Sequence, residues 1–290
     1  MPANTPLPTL REEYLRKRRN KRLLRYGIIF LIFAAVVAAL SYVSHRKEFT
    51  ISKVTLSGGV LVTEEEVSAQ ALEYMHGSYL WIFPIRNALW YPRKDLEKYL
   101  RETFSRIDTI HAHLENAHTL TVDITERQPY AIWCKNVFAQ ATSTQMEDGS
   151  DLQNCYFMDS NSTIFAPAPD FSGDAYFKYY GLIEGGNPIG QNYMSSSTEF
   201  LGIADLIAAV KKLSLRPQYL IAKGDNQFSL VISGGGQIYF DTKKPLETTI
   251  ENLQALLRNT DFSTSTGAGL PVDYIDLRFG NKLFYKLKGQ

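Results

Sequence analysis

TLTVDITERQP, residues 119–129, sets Leu120, Val122 and Ile124 in alternation with Thr121, Asp123 and Thr125, the two-residue period of a strand buried on one face. Just before it, Ile110, Ala112 and Leu114 alternate with His111 and His113, so the two runs read as a hairpin. Further back, Leu96, Tyr99, Leu100 and Phe104 recur at helical spacing behind Tyr91-Pro92, where a proline suits the first turn. Thr63-x-x-Glu66 is a capping box in front of Val67, Ala71, Leu72 and Met75, which share one helical face. FTISKVTL, residues 49–56, is rich in strand formers and closes on Gly58-Gly59. The order strand, helix, helix, strand, strand over residues 48–127 predicts a small α+β unit whose helices both cover one face of the sheet.

Upstream of this unit the composition changes. The first 25 residues hold eight arginines and lysines against Glu12 and Glu13, a local balance of +6 inside a chain whose net charge is +1. A basic tail is therefore joined to a mildly acidic body. Gly27 to Val43, GIIFLIFAAVVAALSYV, then runs 17 residues without a charge. At ~1.5 Å per residue that run spans about 26 Å, close to the hydrocarbon thickness of a bilayer. Tyr26 and Tyr42 fall where interfacial aromatics belong, with only Arg46 and Lys47 just beyond. The expectation is a cytoplasmic basic tail over 1–25, a single transmembrane helix over 26–44, and an exported remainder in the cytoplasmic membrane's outer compartment. A cleaved secretory signal is the rival reading, because Ala39-Leu40-Ser41 loosely fits a small-x-small cleavage pattern. Juxtamembrane charge accounts for the tail, so no nucleic-acid partner is assigned.

Residues 128–290 read as a second, β-rich domain with two helices. Tyr130 to Cys134 and Cys155 to Met158 are short strands around a polar loop, 139–154, expected to be mobile. Cys134 and Cys155 come within bonding range if those strands are adjacent and antiparallel; otherwise they are two half-buried thiols. Ile203, Ile207 and Val210 mark a helix, and Tyr219 to Ala222, Phe228 to Ile232 and Gln237 to Asp241 form a meander. A helix from Pro245 to about Leu257 buries Ile250, Leu253 and Leu257. Two last strands, Tyr274 to Phe279 and Lys282 to Leu287, meet at Gly280-Asn281, and the chain ends three residues later. The expectation is an edge strand with nothing after it to cover it, a template for strand addition.

No catalytic constellation stands out. His111 and His113 share the solvent face of a strand, with His118 following, and no cysteine or carboxylate cluster adjoins them, so no metal is assigned. Glu64, Glu65 and Glu66 complement a helix N-terminus. Asp273 and Asp276 have no companion nucleophile, and Gly234-Gly235-Gly236 lacks the lysine and hydroxyl residue of a phosphate loop. No nucleophile elbow is present. The chain reads as a protein without cofactor or small-molecule substrate, and not as an enzyme. A membrane-anchored hydrolase is the alternative, and it requires a pocket with convergent polar groups.

Three stretches carry a resemblance: 49–58 with the two helices and the hairpin closing on Glu126-Arg127-x-Pro129; Leu230 to Asp241 with its glycine turn; and YIDLRFGNKLFY, residues 274–285. In this order they resemble the bacterial cell-division family FtsQ/DivIB, with a POTRA domain followed by a β domain. The turn at Asn116-Ala117 departs from the family's frequent Trp-Pro, and the loop at 139–154 is long for it. The resemblance implies a divisome scaffold that binds membrane-anchored coiled-coil proteins of the FtsB/DivIC and FtsL type. The partner would add a strand beside the last one, at Arg278, Phe279, Gly280, Asn281, Lys282, Leu283, Phe284 and Tyr285. For Phe279 and Tyr285 the residues leave two readings standing, partner contact or packing of the domain's own core. A POTRA-bearing transport component is a further alternative, though no outer-membrane barrel follows.

Overall fold

The computed structural model describes residues 10–79, 82–135, 155–169, 175–181, 183, 186–258, 272–280 and 282–289. The loop at 139–154 lies outside them. The protein is a mixed α+β chain that divides into two compact units, residues 1–101 with 109–125 and residues 102–108 with 126–290.

Helix α1 (Leu10–Ser44) is 35 residues long. It takes in the basic segment that composition alone had set apart as a tail. Arginine, lysine and leucine are all strong helix formers, and no proline or glycine interrupts residues 10–26. Its part from Arg18 to Ser44 is long and apolar enough to cross a membrane. Ile28, Phe30, Leu31 and Phe33 along it are exposed, so the other described residues do not cover them.

In the first unit β1 (Lys53–Ser57), β4 (Ile107–Leu114) and β5 (Thr119–Glu126) form a sheet in the order β1-β5-β4. β1 runs parallel to β5, with Val54 opposite Leu120 and Leu56 opposite Val122. The turn between β4 and β5 is closed by Glu115 N donating to Thr119 O at 3.1 Å. Helices α2 (Glu64–Tyr74) and α3 (Arg93–Thr103) follow the expected spacing. They bury Val67, Ala71, Leu96 and Leu100, while the sheet buries Val54, Leu120, Val122 and Ile124. The short ribbon β2 (Ser78–Tyr79) with β3 (Phe83–Pro84) was not expected, because two-residue strands leave no periodic signal. After β1 the chain turns at Gly58, whose φ is +87° and where a Cβ would meet Ile124 O at 2.2 Å. Only glycine meets both demands.

Both halves of the capping box at α2 are present. Glu66 N donates to Thr63 Oγ1 at 3.3 Å, and Thr63 N donates to the Glu66 carboxylate at 3.2 Å. Thr63→Ala is therefore expected to cost about 1 kcal/mol, read as a lower urea midpoint at unchanged slope.

The second unit is built on one nine-stranded sheet in the order β14-β13-β12-β11-β10-β9-β6-β7-β8. Its strands are β6 (Ala131–Cys134), β7 (Cys155–Met158), β8 (Ile164–Pro167), β9 (Lys178–Tyr180), β10 (Pro217–Gly224), β11 (Gln227–Ile232), β12 (Gln237–Asp241), β13 (Val272–Asp276) and β14 (Phe284–Leu287). β10 to β12 form the meander; Asp225 and Asn226, with φ of 51° and 61°, make the two-residue turn whose twist suits a hairpin. β12 and β13 are parallel, which needs a crossover, and helix α5 (Leu246–Leu257) supplies it. With α4 (Ser197–Lys212) it covers one face. Phe200, Ile203, Leu206, Val210 and Leu253 pack there against Leu220, Leu230, Ile238, Phe240 and Ile275.

The glutamate-arginine-x-proline ending of β5 has a structural role. Arg127 donates to Asp108 Oδ1 and to Ser105 O, both at 3.1 Å, and also pairs with Asp159. Asp159 is 5 % exposed and accepts the backbone N–H of Asn161 and of Thr163.

The last two strands are shorter than expected. β13 stops at Asp276 and β14 starts at Phe284, because the chain between them is tied down from the side. Lys244 Nζ donates to Arg278 O at 2.6 Å, and Asn252 Nδ2 to Gly280 O at 3.2 Å. Gly280 takes a φ of +67°, where a side chain would be strained.

Candidate functional site

The two ends of the nine-stranded sheet differ. At β8 the loop 187–193 takes the place of a further strand: Ile164 N donates to Gln191 O at 2.9 Å, and Gly190 N to Ile164 O at 2.7 Å. β8 also ends on Pro167, which has no N–H to offer. That end is closed. At the other end β14 pairs with β13 along one side, Tyr274 opposite Lys286, Ile275 opposite Tyr285 and Asp276 opposite Phe284. Among the described residues no strand lies beyond it.

The side chains around β14 sort by face. Leu283 and Leu287 pack against the core. Phe279 is 56 % exposed, Phe284 48 % and Tyr285 37 %. Cross-strand partners share a face, so Tyr285 sits on the helix-covered side with Ile275, and Phe284 on the opposite side with Asp276. The open edge is thus flanked by an aromatic on each face. Phe279 leans on Phe284 edge to face, ring centroids 5.4 Å apart.

Arg278 organises the outer face behind this pair. Its guanidinium forks onto Asp276, donates to Gln227 Oε1 at 2.6 Å, and lies over the rings of Tyr239 and Phe279 at 5.3 and 5.8 Å. The arginine is therefore committed within its own domain, and it positions Phe279 rather than reaching outward. The sequence holds a signal for this: Asp276 and Arg278 are two apart, the spacing that puts two strand residues on one face. Lys282 is exposed, and its N–H closes the turn on Phe279 O at 3.3 Å. Asn281 lies outside the described residues.

Burial by itself pushes the Asp276 carboxyl up. Hydrogen bonds from the Arg278 side chain and backbone N–H, together with the guanidinium charge, outweigh it and hold the group below the ordinary carboxylate value. The folded form then binds this proton less readily than the unfolded chain. The resulting stability is complete above the ordinary carboxylate range and is lost as pH falls through the lowered value. Asp276→Asn is expected to lower stability at neutral pH and to flatten its acid limb, measured by urea unfolding between about pH 7 and about pH 3.

The other candidate residues fall elsewhere. Cys134 and Cys155 are directly opposite in the β6–β7 register, with Cα atoms 4.1 Å apart, and are joined by a disulfide. The three histidines go to three different neighbours. His111 meets the Arg93 guanidinium at 3.4 Å, His113 pairs with Asp123 at 3.1 Å, and His118 faces Thr50 O at 3.4 Å. Asp273 and Asp276 likewise diverge, Asp273 pairing with Lys286 at 3.3 Å. A cleft of about 770 Å³ between α4 and the start of β10 is lined by Tyr176, Phe177, Lys211, Ser214, Arg216 and Gln218 among others. Among the described residues its lining includes no carboxylate, imidazole or thiol.

No protein-family model matches the sequence, and no curated protein matches it.

Proposed function

We propose that the chain is a single-pass division scaffold of the FtsQ/DivIB kind, held in the cytoplasmic membrane by α1 with its N-terminus in the cytoplasm. The first unit is a POTRA-type domain. The second takes a strand from a membrane-anchored coiled-coil protein of the FtsB/DivIC or FtsL type, laid along β14. The observation that carries this reading is the asymmetry of the nine-stranded sheet: one end is stoppered by its own loop, and the other stops at an exposed strand between two aromatics. Strand addition draws affinity from main-chain hydrogen bonds and specificity from alternate side chains, and β14 presents both.

The basic helix ahead of the apolar run supports the orientation. The parallel pairing of β1 with β5 in a sheet backed by two helices supports the POTRA reading of the first unit. The polar groups of the outer face are engaged with one another, which suits a docking surface and not a reaction centre.

Depletion of the protein from growing cells is expected to give filaments with unseparated septa, and the tagged chain is expected to bring down an FtsB/DivIC-type protein from solubilised membranes. Normal division after depletion overturns the division reading. Capture of no such protein overturns the partner.

A further inference from the structure

The C-terminal end of α1 is fastened to the first unit by side-chain hydrogen bonds, and the fastening fixes where a neighbouring segment must lie. Ser41 Oγ donates to Ile82 O at 2.8 Å, and Asn87 Nδ2 donates to Ser44 O at 2.8 Å. Asn87 is fully buried and Ser44 is 3 % exposed. Asn87 Oδ1 in turn accepts Leu89 N at 2.9 Å. Two backbone bonds, Ile51 N to Arg86 O and Ala88 N to Phe49 O, both 2.8 Å, lock the same segment to the chain leaving the helix.

Ser41 lies inside the uncharged run that ends at Val43. If that run fills the hydrocarbon, the Ile82 carbonyl sits at the depth of its last turn. Asn87 then sits at Ser44, three residues or about 4.5 Å further out. Leu89 and Trp90, which follow at once, are 63 % and 56 % exposed. A protein surface in water gains nothing by showing a leucine and a tryptophan side by side. At the boundary of a bilayer the same pair is favourable, the indole above all, with an apolar body and an N–H for the headgroups. At the same end of α1 Tyr42 is exposed, and the Arg46 guanidinium lies 5.5 Å over its ring, as suits anionic headgroups.

We propose that residues 82–90 form a second membrane contact, with Leu89 and Trp90 inserted into the interfacial zone of the leaflet from which α1 emerges. The occupant of this apolar patch is lipid. The contact rests on the reading of α1 as a membrane span. It makes the first unit stand on the bilayer by two points, which fixes its rotation about the helix axis.

The test uses the full chain in nanodiscs whose lipids carry bromine either near the headgroup end or near the methyl end of the acyl chain. Trp81→Phe leaves two indoles, and the Trp81→Phe/Trp90→Phe variant supplies the signal to subtract. Retention of the chain through an alkaline wash of liposomes is measured in parallel. The expected result is a retained chain whose Trp90 emission is blue-shifted and quenched more by the headgroup-end bromines than by the others. A retained chain with unquenched, water-like Trp90 emission overturns the seat and leaves the anchor standing. A chain washed off the liposomes overturns the anchor reading and the seat with it.

Discussion

Phe279→Glu combined with Phe284→Glu is expected to abolish capture of the proposed coiled-coil partner while the protein stays folded. Each ring is about half exposed and the two touch only edge to face, so their loss costs the isolated domain little. In a complex they would cover the outer face of the added strand, and buried aromatic anchors at the centre of an interface are worth roughly 2 kcal/mol or more each. Losing both weakens binding about a thousandfold, and two carboxylates at a desolvated edge weaken it further. Leu201→Glu, at an exposed position of α4, serves as the control and should bind normally. A proline within Lys282 to Phe284 tests the main-chain half of the contact, since it removes an N–H and bends the entry to β14. Undiminished capture by both the aromatic and the proline variants would place the interface elsewhere.

Arg127→Met should produce the largest loss of stability. The guanidinium joins Asp108, the Ser105 carbonyl and Asp159, and its side chain is only 14 % exposed. Its removal leaves the nearly buried Asp159 carboxylate without a countercharge, a change that costs about 3 to 5 kcal/mol in comparable settings. For a unit of this size that corresponds to a fall in Tm of roughly 10 °C. The Arg127→Met/Asp159→Asn double variant should recover a good part of the loss, because the amide needs no cation. A Tm within about 2 °C of wild type for the single variant would show that Asp159 is solvated by another route.

The first unit was legible because each of its helices and β-strands longer than two residues carries its own local signal. Thr63 and Glu66 announce a helix start, Pro92 another, and Leu120, Val122 and Ile124 declare a half-buried strand. The second unit was legible in its meander, its helices and its last strand, but not at the β8 end of its sheet. Strands of three or four residues, such as β8 and β9, are too short to show a period; β6, buried on both faces and without alternation, was legible only as an apolar run. The end of the chain misled for a different reason. Val272 and Ile275 both reach the core although they are three apart, because the ladder shifts between Val272 and Tyr274. A bulge of that kind is set by pairing, not by composition. The role of Arg278 was hidden by distance: Gln227 and Tyr239 hold it from other strands, and only Asp276 is near it in sequence. Lys244 and Asn252, which fasten the loop behind the candidate edge, carry no signal a single sequence could reveal.

The loop that seals β8 has a bearing on assembly. A sheet able to pair at both ends can join head to tail and run on as a fibre, whereas one that pairs at a single end is a terminator. Two copies could meet open edge to open edge and stop, and a copy that has accepted a foreign strand is finished. Strand pairing at this sheet therefore closes at one acceptor and one donor, and any higher count of subunits in an assembly must be set by contacts of another kind.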